Sequence, residues 1–237
     1  MNDLSLSQAI EELMVARNLR NMQLARAALP PDYYLRAARQ LRDPHGTVII
    51  GTGFPVTDTF ETDGPVGAIA LYDCLQALGA EPVIACGPPL SDAIAADYRV
   101  LHLHAGDLAS AQEEAAAQLE RLQPTAVISI ERPGLAEDGR YYNIRGEDIT
   151  ARCAFFDPFL TLATCPTIAI GDGGNEIGMG NIAAAIAATA HGTPRRDPPA
   201  GTDSGAATGS GSRRFRSSAT RLRRHSFTRP LPVSGQA

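Results

Sequence analysis

Five short runs dominate what this chain can fold into: Thr47-Val48-Ile49-Ile50, Pro82-Val83-Ile84-Ala85-Cys86, Val100-Leu101-His102-Leu103, Thr125 to Ile130 and Thr167 to Ile170. Most are apolar without alternation, so each reads as a strand buried on both faces rather than one facing water on one side. The text between them carries helical signals. Leu6, Ile10, Leu13 and Met14 recur at helical spacing within 5–29, and Pro30-Pro31 stops that helix and opens another through Leu41. Pro65 to Leu78 closes on Gly79, Ser91 to Asp97 is short, and Asp107 caps a helix through Leu122. Residues 147–163 read as a further helix, interrupted at Asp157-Pro158. Strands regularly separated by helices predict an α/β fold: a parallel or mostly parallel sheet with helices on both faces.

Four of the strands run straight into glycine- or proline-rich loops: GTGFPVTDTFETDGP, GPPLSD, ERPGLAEDGRYYNIRG and GDGGNEIGMGN. In open α/β sheets the ligand crevice lies beyond the carboxyl ends of the strands, so these loops should gather around one pocket. Gly51, Gly53, Gly64 and Gly67 form one loop whose backbone N–H groups suit a carboxylate or phosphate. Gly171, Gly173, Gly174, Gly178 and Gly180, with Asn175 among them, form a second that leads toward a helix at Ile182. Neither has the GxGxxG spacing of a dinucleotide site. The plainer reading is that these glycines only make tight turns.

The same loops carry Asp58, Glu61, Asp63, Glu131, Asp172 and Glu176. Glu131 follows a buried strand directly and Asp172 stands two residues after another, where an unpaired carboxylate is costly. Two or three such oxygens suit Mg²⁺ or Mn²⁺. The alternative is that Glu131 pairs with Arg132 or Arg145 and Asp172 caps a turn. Tyr141, Tyr142, Asn143 and Arg145 are candidates for gripping a substrate carboxylate, or for packing a loop. His102 and His104 alternate on one strand face; a zinc pair is the lesser reading beside simple exposure.

Composition narrows the chemistry. All 21 basic residues are arginine, so the chain has no Schiff-base lysine for pyridoxal phosphate and no P-loop lysine. No nucleotide cofactor is expected. Cys74, Cys86, Cys153 and Cys165 stand far apart, as reduced thiols of a cytoplasmic protein would. No apolar run approaches a transmembrane span, and the acidic start MNDLSLSQAIEEL fits neither a signal nor a transit peptide.

Three long motifs in order, GTGFPV…ETDGPVGA, IERPG…YYNIRGEDIT and IAIGDGGNEIGMGN, resemble the C-terminal-type domain of the D-glutamate cyclase family, from about Ser5 to about Ala190. The resemblance implies a lyase that converts D-glutamate to 5-oxo-D-proline with loss of water. Some stand-alone relatives look instead like divalent-metal proteins with phosphohydrolase activity, and a non-catalytic small-anion or metal-binding remnant is the reading from outside enzymology. Asp63 of TDGP, Glu131 of ERPG and Asp172 of GDGGNE match the acidic motif positions. We assign Glu131 and Asp172 as catalytic. Asp63, Glu131 and Asp172 are the candidate metal ligands, and Gly51, Gly53, Gly64, Arg145, Gly173, Gly174 and Asn175 the substrate-binding set.

The chain divides at about residue 190. Residues 1–191 hold 12 Arg against 24 Asp and Glu, whereas 192–237 hold 9 Arg against 2 Asp. Residues 1–190 are the cyclase-like domain; 191–237 form a basic, low-complexity tail too poor in apolar periodicity to bury a core. A nucleic-acid arm, a linker and a slipped reading frame near His191 all fit that text. The abrupt change where the family pattern should continue favours the slip, and with it an incomplete domain. The expected partner is therefore a small anionic molecule, not a membrane or nucleic acid. A sheet edge left bare would favour oligomers.

Overall fold

The computed structural model describes residues 2–104 and 106–182. The basic tail, the frame slip proposed near His191 and the helix expected from Ile182 onward lie outside them. The expected alternation is present. Strands β1 (Thr47–Thr52), β4 (Glu81–Cys86), β5 (Val100–His102), β6 (Ala126–Ile130) and β7 (Thr167–Ile170) form one sheet, ordered β5-β4-β1-β6-β7. Every pairing in it is parallel. A second, two-stranded antiparallel piece, β2 (Pro55–Val56) with β3 (Thr59–Phe60), leaves the end of β1 as a small flap.

Helices α4 (Asp63–Ala77) and α5 (Leu90–Ile94) cover one face, with Ala68, Tyr72, Leu75 and Leu90 against Val48, Ile50, Ile84 and Ile128. Helices α6 (Leu108–Leu122) and α7 (Asp157–Leu162) cover the other, where Ala115, Phe156 and Phe159 meet Ile49, Val83 and Val127. The central strands β1, β4 and β6 are thus buried from both sides, as their unbroken apolar runs require. The outer strands depart from that expectation: β5 is partly exposed and β7 largely so. Chain order reverses between β1 and β6, which opens a crevice at their carboxyl ends.

Gly51 belongs to this packing rather than to a ligand loop. It is a residue of β1, and a Cβ there would come within 2.1 Å of the Phe156 ring. The ring occupies the space a side chain would take.

Two helical expectations change. The helix predicted over 5–29 is two, α1 (Asp3–Met14) and α2 (Met22–Ala28), joined by a turn in which Asn18, Arg20 and Asn21 are left-handed. Asparagine tolerates that conformation because its short side chain bonds locally; here Asn18 Oδ1 accepts from the Gln23 N–H at 3.1 Å. The apolar stripe of α1 does not face a core either: Leu6, Ile10, Leu13 and Met14 are exposed. Ser7 and Glu11 are buried instead, Ser7 donating to Glu11 at 2.9 Å and accepting from Leu35 N–H at 3.1 Å, next to α3 (Tyr33–Gln40). The second change is at 147–163, where only a turn at Thr150–Arg152 and α7 are helical. Asp148 Oδ1 takes the Thr150 N–H at 2.9 Å, and Asp148 bridges back to Tyr142, which ties this stretch into a loop.

Candidate active site

The ends of β6 and β7 carry the chemistry. Glu131 directly follows β6, and its N–H donates to the last carbonyl of β7, Ile170 O, at 3.0 Å. Its φ is +48°, a left-handed conformation that costs free energy in a residue with a Cβ. The GDGGNE loop then doubles back: Pro133 bridges Glu176, Gly134 N–H donates to Asn175 O at 2.8 Å, and Ile177 N–H to Arg132 O at 2.9 Å. This local ladder gathers ligand oxygens of Glu131, Asp172 and Glu176 within 4.8 Å of one another. Among the described residues it is the one such acidic, histidine or cysteine group. Among the described residues the histidine pair belongs to no such group, and His104 pairs with Glu114 at 3.0 Å.

Proximity and burial set the ionisation. Glu131 is pushed up to about 8, first by burial and then by the negative charges of Glu176, Asp172 and Asp63, with Arg20 opposing. Burial also raises Glu176, against the help of the Gly174 N–H. Glu61 at the rim is raised by burial and by Asp63. A carboxyl that titrates near neutrality beside other acids is what acid–base chemistry requires.

The glycine loop after β7 has an internal client. Gly174 N–H donates to Glu176 Oε2 at 2.7 Å, and a Cβ at Gly173 would lie 2.4 Å from Glu176 Oε1. The N–H cradle read from the sequence as a substrate anion site therefore wraps a buried protein carboxylate. Gly64 has a similar role: a Cβ there would meet Glu131 Cβ at 2.8 Å, so its absence lets α4 approach the acidic centre. Asp63, the residue before it, is exposed and takes its neighbour's N–H at 2.9 Å. It is near enough to bias Glu131 electrostatically but is not in the acidic trio; Glu176 stands there instead.

A cavity of about 330 Å³ opens beside the trio, lined by Arg20, Glu131, Asn143, Arg145, Asn175 and Glu176 among others. Asn175 is held there by donating to Tyr142 O at 2.9 Å. Asn143 Oδ1 accepts the N–H groups of Arg145 and Glu147, both at 3.0 Å, which presents Arg145 on a tight turn. Tyr141 is not at the cavity. It is buried and donates to Asp157 at 2.6 Å. Gly53 lines a second, neighbouring cavity.

Two arginines behave differently from expectation. Arg132 does not pair with Glu131; it turns into the core and donates to Thr52 O at 2.7 Å and to Ala154 O. Arg20, which no strand-end argument singles out, reaches Asp172 from the turn between α1 and α2 and pairs with it. The only sequence trace of that role is the asparagine-flanked break itself. Because Arg20 opposes the upward shift of Glu131, Arg20→Ala should move the Glu131 midpoint higher still. Carboxyl ¹³C shifts followed through a pH titration would read it, and an unchanged midpoint would remove Arg20 from the site.

The architecture defines a doubly wound α/β protein with an acidic centre beyond its strand ends. The family description that matches, over residues 10–195, is "D-glutamate cyclase-like, C-terminal". Human "D-glutamate cyclase, mitochondrial" is 33% identical over 207 aligned residues, which cover 77% of this chain. The chain belongs to the D-glutamate cyclase-like C-terminal family. It spans 33% of the length of that human relative. No helix among the described residues is long and apolar enough to cross a membrane.

Proposed function

We propose that this chain is a lyase that closes D-glutamate to 5-oxo-D-proline and water. The observation that carries this reading is Glu131: a carboxyl pushed up to about 8, one wall of a cavity that is also lined by arginine and asparagine side chains. In the reaction the amine nitrogen bonds to the side-chain carboxyl carbon, and one oxygen leaves that carbon as water. An α-amino group titrates near ~8, so Glu131 is matched to relay the two protons that the ammonium nitrogen gives up as the lactam forms to the departing oxygen, which leaves as water. Arg145, on its asparagine-braced turn, would hold the α-carboxylate bidentately. Asn175 would donate to the oxygen that gains charge as the carbon becomes tetrahedral. Confinement of amine and carboxyl in one small cavity adds a proximity effect.

The donor set also suits a hard divalent cation. Three carboxylates converge, and the mutual repulsion that raises Glu131 would be relieved by Mg²⁺ or Mn²⁺. Glu131, Asp172 and Glu176 would hold the ion, with Asp63 contributing field from the first turn of α4; in that form Glu131 would be a ligand, and the proton relay belongs to the ion-free site. When bound, it would supply Lewis-acid polarisation of the attacked carboxyl.

The deciding assay is 5-oxoproline formation from D- and L-glutamate, with Mg²⁺, Mn²⁺ or EDTA, on protein first shown to be folded by circular dichroism. Turnover of the D isomer alone is the expected outcome. A folded chain that binds Mn²⁺ saturably without product would be a binder, and one that releases phosphate from simple phosphomonoesters a phosphohydrolase. Either would overturn the proposal.

A further inference from the structure

A second cavity, of about 280 Å³, lies on the other side of the β2–β3 flap and is not used by the reaction above. Pro55, Thr57 and Arg152 wall both spaces, and Arg152 donates to Thr57 O at 3.0 Å between them. The two differ in chemistry. The first is lined by acids and arginines; the second has apolar walls, Pro55, Phe60, Pro88 and Leu90, with Arg132 among its lining residues.

Arg132 is the unusual group. It is 3% exposed, and among the described residues no carboxylate forms an ion pair with it; the buried Asp157 carboxyl feels its charge but is bonded instead to Tyr141 and to the Leu135 N–H. It donates to two carbonyls, Thr52 O and Ala154 O, both belonging to residues of this same wall. One face of the guanidinium lies over Phe156, with the ring centroid 5.4 Å away. Its Nε has no hydrogen-bond partner, and neither does the buried hydroxyl of Thr52. Guanidinium has five N–H donors and stays charged at any physiological pH, so a buried one with donors unused and no carboxylate bonded to it is costly. Thr57, Asp58 and Arg152 complete the polar part of the lining, Asp58 being its carboxylate.

We infer that this cavity is a binding site for a small organic carboxylate, with Arg132 as its anchor. The carboxylate would supply a directly bonded counter-ion and accept the N–H groups that the two Nη atoms have left over, and a short aliphatic body would lie against Phe60, Pro88 and Leu90. The ligand class follows from that combination: inorganic anions leave the apolar walls unfilled, and neutral analogues leave the charge unpaired. The site does not depend on cyclase activity, since nothing in it requires the acidic centre to turn over.

The test uses butyrate, with butyramide and phosphate as comparisons, by isothermal titration on the full chain. Butyrate should bind with 1:1 stoichiometry, and butyramide and phosphate at least ~10-fold more weakly. Arg132→Lys should lose at least ~10-fold in butyrate affinity, because lysine keeps the charge but not the fork. Arg132 also ties two backbone segments, so a surface change runs in parallel: Thr59→Glu, on the exposed rim of this cavity alone, should weaken butyrate by repulsion. Arg145→Ala should leave it unchanged. Butyrate lost with Arg145→Ala but retained by both other variants would move the anion to the acidic cavity and overturn the inference. No saturable binding to folded parent protein up to roughly 50 mM, weaker than a millimolar site, would leave Arg132 as a structural tie only.

Discussion

Glu131→Gln is expected to lower D-glutamate turnover by about 10²–10⁴-fold, the range that a lost general acid–base group accounts for. The same substitution should stabilise the fold, and only at higher pH. Glu131 ionises at about 8 in the folded chain, against an ordinary value of 4.5. Between those values the folded chain retains a proton that the unfolded chain has released. Stability therefore falls as pH rises through that window, and the loss is complete above about 8. Glutamine has no proton to lose and escapes this penalty. In EDTA, thermal midpoints of parent and variant should agree most closely near pH 5 and diverge, with the variant higher, toward roughly pH 9. A constant difference across that range would mean that Glu131 is not held protonated by its surroundings. Unchanged turnover would end its assignment as the base.

The largest stability effects should come from the contact between Gly51 and Phe156. Phe156 is fully buried, stacks on Phe159 at 5.1 Å, and lies where a β1 side chain would be. Phe156→Ala should cost about 3–5 kcal/mol, the usual range for emptying an aromatic site in a core. Gly51→Ala forces a methyl into the ring and should cost about 1–3 kcal/mol. The double variant should cost less than the two together, because the new methyl partly fills the void that the missing ring leaves. Denaturant midpoints for the four proteins would settle it. Simple additivity would mean that the two sites relax independently. The effect also bears on the second cavity, since Arg132 lies over the same ring.

Much of this fold was legible because its central strands are buried on both faces. A run such as Thr47-Val48-Ile49-Ile50 has few competing solutions, and strands separated by helices then imply the parallel sheet. The N-terminal helices were less legible. The stripe Leu6, Ile10, Leu13 predicts a core contact, but the contact is made through Ser7 and Glu11, whose mutual hydrogen bond makes their burial tolerable. Periodicity marks an apolar face; it does not say what meets it. Within the site, Glu131 and Asp172 could be placed because carboxylates at strand ends are costly without a partner. Glu176 was visible as a loop carboxylate, but its place beside them depends on the loop folding back through Pro133. Arg20 lies 152 positions from Asp172 along the chain, and no local rule connects the two. Glycines misled in one consistent way. In the sequence they read as N–H groups open to a substrate anion or as tight turns, but what approaches them is protein: a phenyl ring at Gly51 and a carboxylate at Gly173.

The return of the GDGGNE loop along Glu131–Gly134 has a consequence for how this scaffold can vary. The acids inherit their spacing from a short ladder of backbone bonds, so a one-residue insertion in either loop would put them out of step. The turn at 143–147 is braced by its own asparagine and meets the acidic loop through the Asn175–Tyr142 bond. Selection can rewrite that turn, and with it the cavity wall that Asn143 and Arg145 form, while the acidic trio keeps its positions.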